Sequence, residues 1–285
     1  MEKEEIYGCN LINTKSDRRQ LTDFVSKYHM HILLLHGTMS FSDGKNTFTS
    51  RPGDLAIWQM SNTIQVNALQ KESVEAFAQK AAMLGPLMYF IDTAGASPNQ
   101  AKPEHIVDLD MVGTGYAIDA FGEVMAEGGA GLIISSQAAD MYPIPGDIEL
   151  QLVNTPTEQL KDVKFIREVA MKDSGLAYMI AKRVNHLQAQ RAAATSWCKR
   201  RARINTISPG VIVTPLAYDE FRASGEGYQA MIDASSARRT GTSDEIAEAA
   251  AFLLGEHARF ITGTDLLIDG GVIASIRTGG FKLWR

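Results

Sequence analysis

Residues 72–91 read ESVEAFAQKAAMLGPLMYFI, and this stretch decides the fold class. Val74, Phe77, Ala78 and Ala81 recur at helical spacing on one face, and Gly85-Pro86 closes the helix. The apolar run LMYFI that follows at once has the texture of a strand covered on both faces. The same cycle repeats downstream. A helix over roughly Glu104 to Met125 leads into GLIIS, and a long helix from about Ser174 to Trp197 leads into RINTIS. Ser243 to Leu254 precedes DLLI; there Thr242 and Glu245 have capping-box spacing, and Ile246, Ala249, Ala250 and Leu253 follow at helical intervals. Strands joined by helices in this way predict an α/β, Rossmann-like parallel sheet with helices on both faces.

Upstream the texture differs. HILLLHG, TMSFSDGKNTFTS and RPGDLAIWQ, between His31 and Gln59, are short apolar stretches broken by turn residues, an antiparallel β pattern. Ser42-Asp43-Gly44-Lys45 reads as a hairpin turn, and Arg51-Pro52-Gly53-Asp54 pairs a fixed φ with a permissive glycine, giving two hairpin-like units. The chain therefore divides into a β-rich segment over 1–66 and an α/β segment over 67–285.

Composition places the chain among ordinary globular proteins: 285 residues, 45% hydrophobic, 21% charged. A formal charge of -5 with no long basic run argues against nucleic acid as a partner. Cys9 and Cys198 are too few for a disulfide framework or a thiolate metal cage, which fits a reducing compartment. The acidic start, with Glu2, Glu4 and Glu5, is unlike a secretory signal, and no apolar run approaches membrane-spanning length; the expectation is a cytoplasmic protein without a membrane partner.

Tyr178 and Lys182 stand four residues apart, one helical turn, so the phenol and the ammonium can meet at one site. A phenol of ordinary pKa is a poor acid-base catalyst near neutrality; an adjacent fixed cation favours the phenolate. By itself such a pair is more often a solvated helix face.

Its companions carry a resemblance. Ile133-Ile134-Ser135-Ser136 at a strand end, Tyr178 and Lys182, the run Asn205 to Thr214 (NTISPGVIVT), and Phe260 to Gly263 before Leu266 to Gly271 together resemble the short-chain dehydrogenase/reductase family, in the family's order and over about three quarters of the chain. The resemblance implies that Tyr178 exchanges the alcohol proton, that Lys182 tunes the phenol and holds the nicotinamide ribose, and that Ser136 hydrogen-bonds the substrate oxygen. It also implies that Pro209, Gly210 and Thr214 lie against the nicotinamide, that the cofactor is NAD or NADP, and that the substrate is a small alcohol or ketone. A homodimer or homotetramer built on the helix carrying Tyr178 follows from the same likeness. Taken alone, Ser135 and Ser136 could simply close a strand, and Pro209-Gly210 could be an ordinary turn.

Several positions depart from the family pattern. Asp110 stands where the family usually has an asparagine that holds a relay water; as an acceptor it can still hold water. Asp92-Thr93-Ala94-Gly95 replaces Asn-Asn-Ala-Gly, with Ala94 and Gly95 keeping the close backbone approach to a cofactor. Ser136 and Tyr178 are 42 positions apart, more than usual, so Met141 to Asp173, with Pro143, Pro145 and Pro156, reads as an inserted substrate-side lobe or lid. The opening Thr-Gly-x-x-x-Gly-x-Gly turn, whose amides would meet the pyrophosphate, is absent; Gly113-Thr114-Gly115 lies inside a helical pattern and is a decoy. The sheet is thus expected to be N-terminally incomplete, leaving the LMYFI edge for the N-terminal β segment or a second subunit to cover.

Residues from about Phe24 to Gln65 resemble the first half of the cupin-like sensor domain of AraC-type regulators, through Leu33-Leu34-Leu35-His36-Gly37, Asp43-Gly44 and Arg51-Pro52-Gly53-Asp54-Leu55. No helix-turn-helix pair accompanies it. His29 and His31 alternate on the expected strand, but no third ligand matches, so no metal is expected. Two readings follow. The first is an NAD(P)-dependent oxidoreductase interconverting a secondary alcohol and a ketone with a Ser-Tyr-Lys site. The second is a fusion product or non-catalytic binding protein with a dehydrogenase-like shell that cannot hold a dinucleotide.

Overall fold

The computed structural model describes residues 62–282 together with the strand segments 30–33, 39–42, 47–50 and 54–59. Four strands form the main sheet: β6 (Leu87–Asp92), β7 (Met125–Ile134), β8 (Arg203–Pro209) and β11 (Asp265–Ile268), in the order β11-β8-β7-β6. Every pairing in it is parallel. Helices cover both faces, so the architecture is the Rossmann-like α/β one the strand-helix alternation predicted.

Alternation along the strands sets the two cores. Phe90, Ile133 and Ile204 face one side and meet Phe77 of α1 (Lys71–Leu84), Phe121 and Trp197. Leu132 and Ile207 face the other side, against Leu253 of the helix Ser243–Leu254. That helix starts at Thr242, whose hydroxyl and the Glu245 carboxylate complete the expected capping box.

Between β6 and β7 runs a continuous helix, α2, over 103–122. It opens with Pro at N1 in Pro103–Ile106, widens to a π-helix over Val107–Gly113 and closes as an α-helix over Thr114–Gly122. A π turn widens the backbone ladder by one residue and leaves its carbonyls open to further donors. Two of them find partners on α5 (Ser174–Ala194): Asn185 Nδ2 donates to the Asp110 carbonyl at 2.7 Å and Gln188 Nε2 to that of Met111 at 3.0 Å. Gly115 lies within α2, facing Gln188 and Thr157, where a Cβ would collide; the Gly113-Thr114-Gly115 run is helix packing, as expected.

The stretch expected to be a lobe or lid is folded and packed. It contains α3 (Gly146–Asn154) and α4 (Lys164–Glu168), with 3-10 turns at Thr157–Asp162 and Ala170–Lys172. Leu152, Leu160, Ile166 and Ala170 are buried against α2 and α5. A lobe seated this way is part of the core, and α5 has no exposed residue from 174 to 189.

In the N-terminal segment, β2 (Met39–Ser42) and β3 (Thr47–Ser50) pair antiparallel; the expected turn at Asp43 to Lys45 lies outside the described residues. β4 (Asp54–Gln59) does not continue that hairpin; it pairs with β1 (Met30–Leu33) and β5 (Asn62–Asn67) in a separate antiparallel sheet. Leu34 to Gly37, Asp43-Gly44 and Arg51 to Gly53, which carry most of the cupin-like likeness, lie outside the described residues, as does His29. Neither sheet pairs with β6, so among the described residues β6 remains an edge, with Met88, Tyr89 and Ile91 exposed. Coverage of that edge by the N-terminal strands, expected above, is not found there.

Candidate active site

The candidate residues gather at the carboxyl ends of the parallel strands, where open α/β sheets bind ligands. Asp92 ends β6 and Ala94 and Gly95 follow it, Ser135 and Ser136 follow β7, and Pro209 ends β8 with Gly210 next. α5 brings Tyr178 and Lys182 across these ends. Asp173 caps α5 through its side chain, accepting from the Leu176 amide at 2.9 Å.

Lys182 is the centre of the arrangement and is 4% exposed. Its Nζ lies 5.4 Å from the centroid of the Tyr178 ring and 3.3 Å from Asp110 Oδ2, and donates to the Ile134 carbonyl at 3.4 Å. Its own carbonyl accepts from Ser135 Oγ at 2.9 Å, which ties α5 to the end of β7. The contact with Asp110 is a charge pair without hydrogen-bond geometry: Oδ2 is buried and has no hydrogen-bond partner. Burial alone would pull the ammonium down; the Asp110 carboxylate, Tyr178 and Asp92 outweigh it and hold Lys182 above the usual lysine range.

Asp110 lies in the π segment of α2 and is fully buried. Its Oδ1 accepts from the Ala96 amide at 2.8 Å. Burial raises its carboxyl above the usual range, against the pull of Lys182 and the Ala96 amide. Asp92 caps the same loop from the other end, accepting from the Ala94 amide at 2.8 Å. Burial pushes Asp92 up to about 6, with the Ala94 amide and Lys182 opposing and Asp110 adding to the rise.

Ser136 is half-buried beside this cluster; its Oγ accepts from the Ala138 amide at 3.1 Å and caps the turn Gln137–Asp140. Gly210 donates to the Ile268 carbonyl at 2.8 Å, and a Cβ there would stand 2.6 Å from the Asp269 Cα, a close approach that requires glycine. Thr214 is half-buried between Ile212–Val213 and the helix Pro215–Ala234. The structure thus joins Tyr178, Lys182, Asp110 and the 94–96 loop by measured contacts. Pro209, Gly210 and Thr214 belong to the neighbouring strand end.

Asp92, Ser135, Asn185 and Gln188 were not singled out as site residues. Asn185 and Gln188 follow Lys182 by three and six positions, and two buried amides on the face of the lysine were the available signal.

Comparison with known proteins decides the family. The chain is 39% identical over 214 residues to the short-chain dehydrogenase/reductase bsc3 of Alternaria brassicicola, covering 73% of this chain and 77% of that protein. The chain belongs to the short-chain dehydrogenase/reductase family. A family model described as enoyl-(acyl carrier protein) reductase matches residues 164–273. Galactitol 2-dehydrogenase (L-tagatose-forming) of Cereibacter sphaeroides is 26% identical over 215 residues, covering 73% of this chain and 74% of its own. Among solved structures, the 3-alpha-hydroxysteroid dehydrogenase of Pseudomonas sp. B-0831 complexed with NADH superposes with a TM-score of 0.61 at 27% identity, over 76% of this chain and 85% of that one.

A buried ammonium beside a phenol is a donor set chemically suited to the hydroxyls of a nicotinamide ribose. A Cβ on Gly95 would come within 3.0 Å of Asp110 Oδ2 and 3.1 Å of Lys182 Nζ, so the loop backbone sits directly on the charge pair, and the buried ammonium faces the Tyr178 ring. For the pyrophosphate, the sequence offers no glycine turn of the family's kind.

Proposed function

We propose that the chain is an NAD(P)-dependent oxidoreductase that interconverts a secondary alcohol and a ketone. The observation that carries this reading is a buried ammonium, Lys182, held between Asp110 and the end of β7 with its Nζ facing the Tyr178 ring at 5.4 Å. Such an ammonium favours the charged form of a phenol beside it. Tyr178 would then exchange the hydroxyl proton of the alcohol, with Lys182 stabilising the phenolate. Ser136 accepts from the Ala138 amide and so keeps its own proton to donate to the substrate oxygen. A bound nicotinamide supplies hydride transfer. Lys182 would hold its ribose, and Ala94, Gly95, Pro209, Gly210 and Thr214 would line its nicotinamide end.

Names of relatives support the substrate class: galactitol 2-dehydrogenase, D-threitol dehydrogenase and 3-alpha-hydroxysteroid dehydrogenase/carbonyl reductase all denote oxidation or reduction at hydroxyl or carbonyl carbons. The packed lobe over 141–173 would shape the pocket for a small alcohol or ketone. We further propose a boundary near residue 66, a cytoplasmic setting, and a homodimer or homotetramer built on the helix carrying Tyr178.

Assaying cofactor reduction and oxidation over a panel of secondary alcohols and ketones, beside Tyr178→Phe, tests the reading. Turnover lost in the variant supports it; equal signals from the two proteins remove it. The second reading, a fusion product or a binding protein with a dehydrogenase-like shell, is favoured by one observation, the open β6 edge where further strands would stand in a complete sheet. It predicts no dinucleotide binding.

A further inference from the structure

Where the family pattern carries two neutral amides, this chain carries two carboxylates, and the structure ties both to one loop, with Asp110 also against Lys182. Asp92 and Asp110 grip the same short loop: one accepts from the Ala94 amide and the other from the Ala96 amide, each at 2.8 Å. Gly95 lies between those two bonds, pressed against Asp110 and Lys182. Asp92 is 8% exposed and Asp110 fully buried, while Lys182, also buried, is the ammonium that acts on both. Thr114, one turn beyond Asp110 on α2, bonds the Asp92 carboxyl through its hydroxyl. The other titratable groups facing this cluster are His105, toward Asp110, and Tyr178 and His186, toward Lys182.

Two buried carboxylates facing one ammonium leave a net negative charge in a medium that penalises it. One proton retained by the pair removes that charge, as in other sites where two carboxyls crowd together. We propose that Asp92 is a positioning residue of the Tyr178–Lys182 site: with Asp110 it clamps the 94–96 backbone against Lys182, and the two carboxyls share one proton. The clamp holds the loop in place, and departure of the proton adds a negative charge beside Lys182. The inference rests on the dehydrogenase reading for its catalytic meaning, though the proton sharing itself does not require a cofactor.

Aspartate 13Cγ NMR of the full chain without cofactor reads the sharing directly. The signal absent from Asp92→Asn titrates near 6 in the wild type. In Asp110→Asn its midpoint falls by at least half a unit, about a threefold loss of proton affinity, because a like charge has been removed. Should Asp92→Asn fail to fold, sequential assignment through Ile91 and Thr93 identifies the same carboxyl in the wild type and in Asp110→Asn. An Asp92 carboxyl that titrates in the ordinary range, or whose midpoint ignores Asp110→Asn, overturns the proposal. NADH fluorescence titrations across pH, run in parallel, separate the two claims. Absence of NADH binding at any pH removes the dehydrogenase reading and leaves the carboxyl result to be judged by itself. Binding with an affinity that changes through the Asp92 midpoint in the wild type and not in Asp92→Asn supports the positioning role; identical pH dependence in both overturns it.

Discussion

Lys182 Nζ stands 3.3 Å from Asp110 Oδ2, and both groups are almost wholly withdrawn from water. Removing one partner of such a pair strands the other charge and costs about 3–5 kcal/mol. Asp110→Ala also unties the Ala96 amide. Urea unfolding should show it destabilised by about that amount, while Asp110→Asn, which keeps an acceptor for Ala96, loses less. Equal midpoints for wild type and Asp110→Ala would mean the pair is not formed.

Asp92 and His186 pull the pH dependence of stability in opposite directions. Asp92 has a folded value raised to about 6, so the native state binds the proton more tightly than the unfolded chain. Its contribution is full below the unfolded value and is lost as pH rises through the folded one, a span of about 3 kcal/mol. His186 is buried between Arg183, Ser208 and Asp265, and burial first, then Arg183, lowers it to about 4. Its contribution is full above the ordinary histidine range and is lost as pH falls from about 6.5 toward 4, again about 3 kcal/mol. Asp92→Asn should therefore make stability fall more steeply on acidification between pH 6 and 4, and His186→Gln should make it fall less. Urea midpoints at pH 4, 5 and 6 measure both slopes.

Trp197 is fully buried, donates to the Ile118 carbonyl at 3.0 Å, and fills the space in front of two glycines. A Cβ on Gly122 would stand 2.9 Å from its Cδ1, and one on Gly131 would stand 2.7 Å from its Cζ3. Gly131→Ala should cost about 1–3 kcal/mol by overpacking. Combined with Trp197→Phe, whose smaller ring gives way, the loss should be less than the sum of the single losses, a coupling that a double-mutant cycle in urea reads out.

Natural edge strands are guarded by charge or proline, and β6 has neither between Leu87 and Ile91. Light scattering at rising concentration should show self-association, reduced by Tyr89→Lys or Ile91→Lys, both at exposed positions. Unchanged scattering would mean the edge is covered.

Element positions were largely legible in the sequence because period and punctuation agree there. The helix over 71–84 ends at Gly85, the strand follows at residue 87, and the Thr242–Glu245 box sits at its expected place. The Tyr178–Lys182 pairing was legible for a similar reason, since one turn of helix fixes which side chains share a face. The π turn over Val107–Gly113 was not, because the bonds that Asn185 and Gln188 make to its Asp110 and Met111 carbonyls come from another helix, a tertiary effect with no local signature. The packing of the 141–173 stretch was hidden too: its prolines left it readable only as a lobe or lid, while Leu152, Leu160 and Ile166 are buried in the structure. Asp92 was legible as a departure from the family's Asn-Asn-Ala-Gly but not as a site residue, because an aspartate at a strand end usually closes a turn and only the fold ties it to the Asp110–Lys182 cluster.

Fluorescence titration of the purified chain with NADH and NADPH tests the central claim most directly. Saturable binding of at least one of them, weakened tenfold or more by Lys182→Ala in a variant that still folds, is the expected result. No saturable signal with either nucleotide up to millimolar concentration would contradict the account and leave the dehydrogenase-like shell without its chemistry.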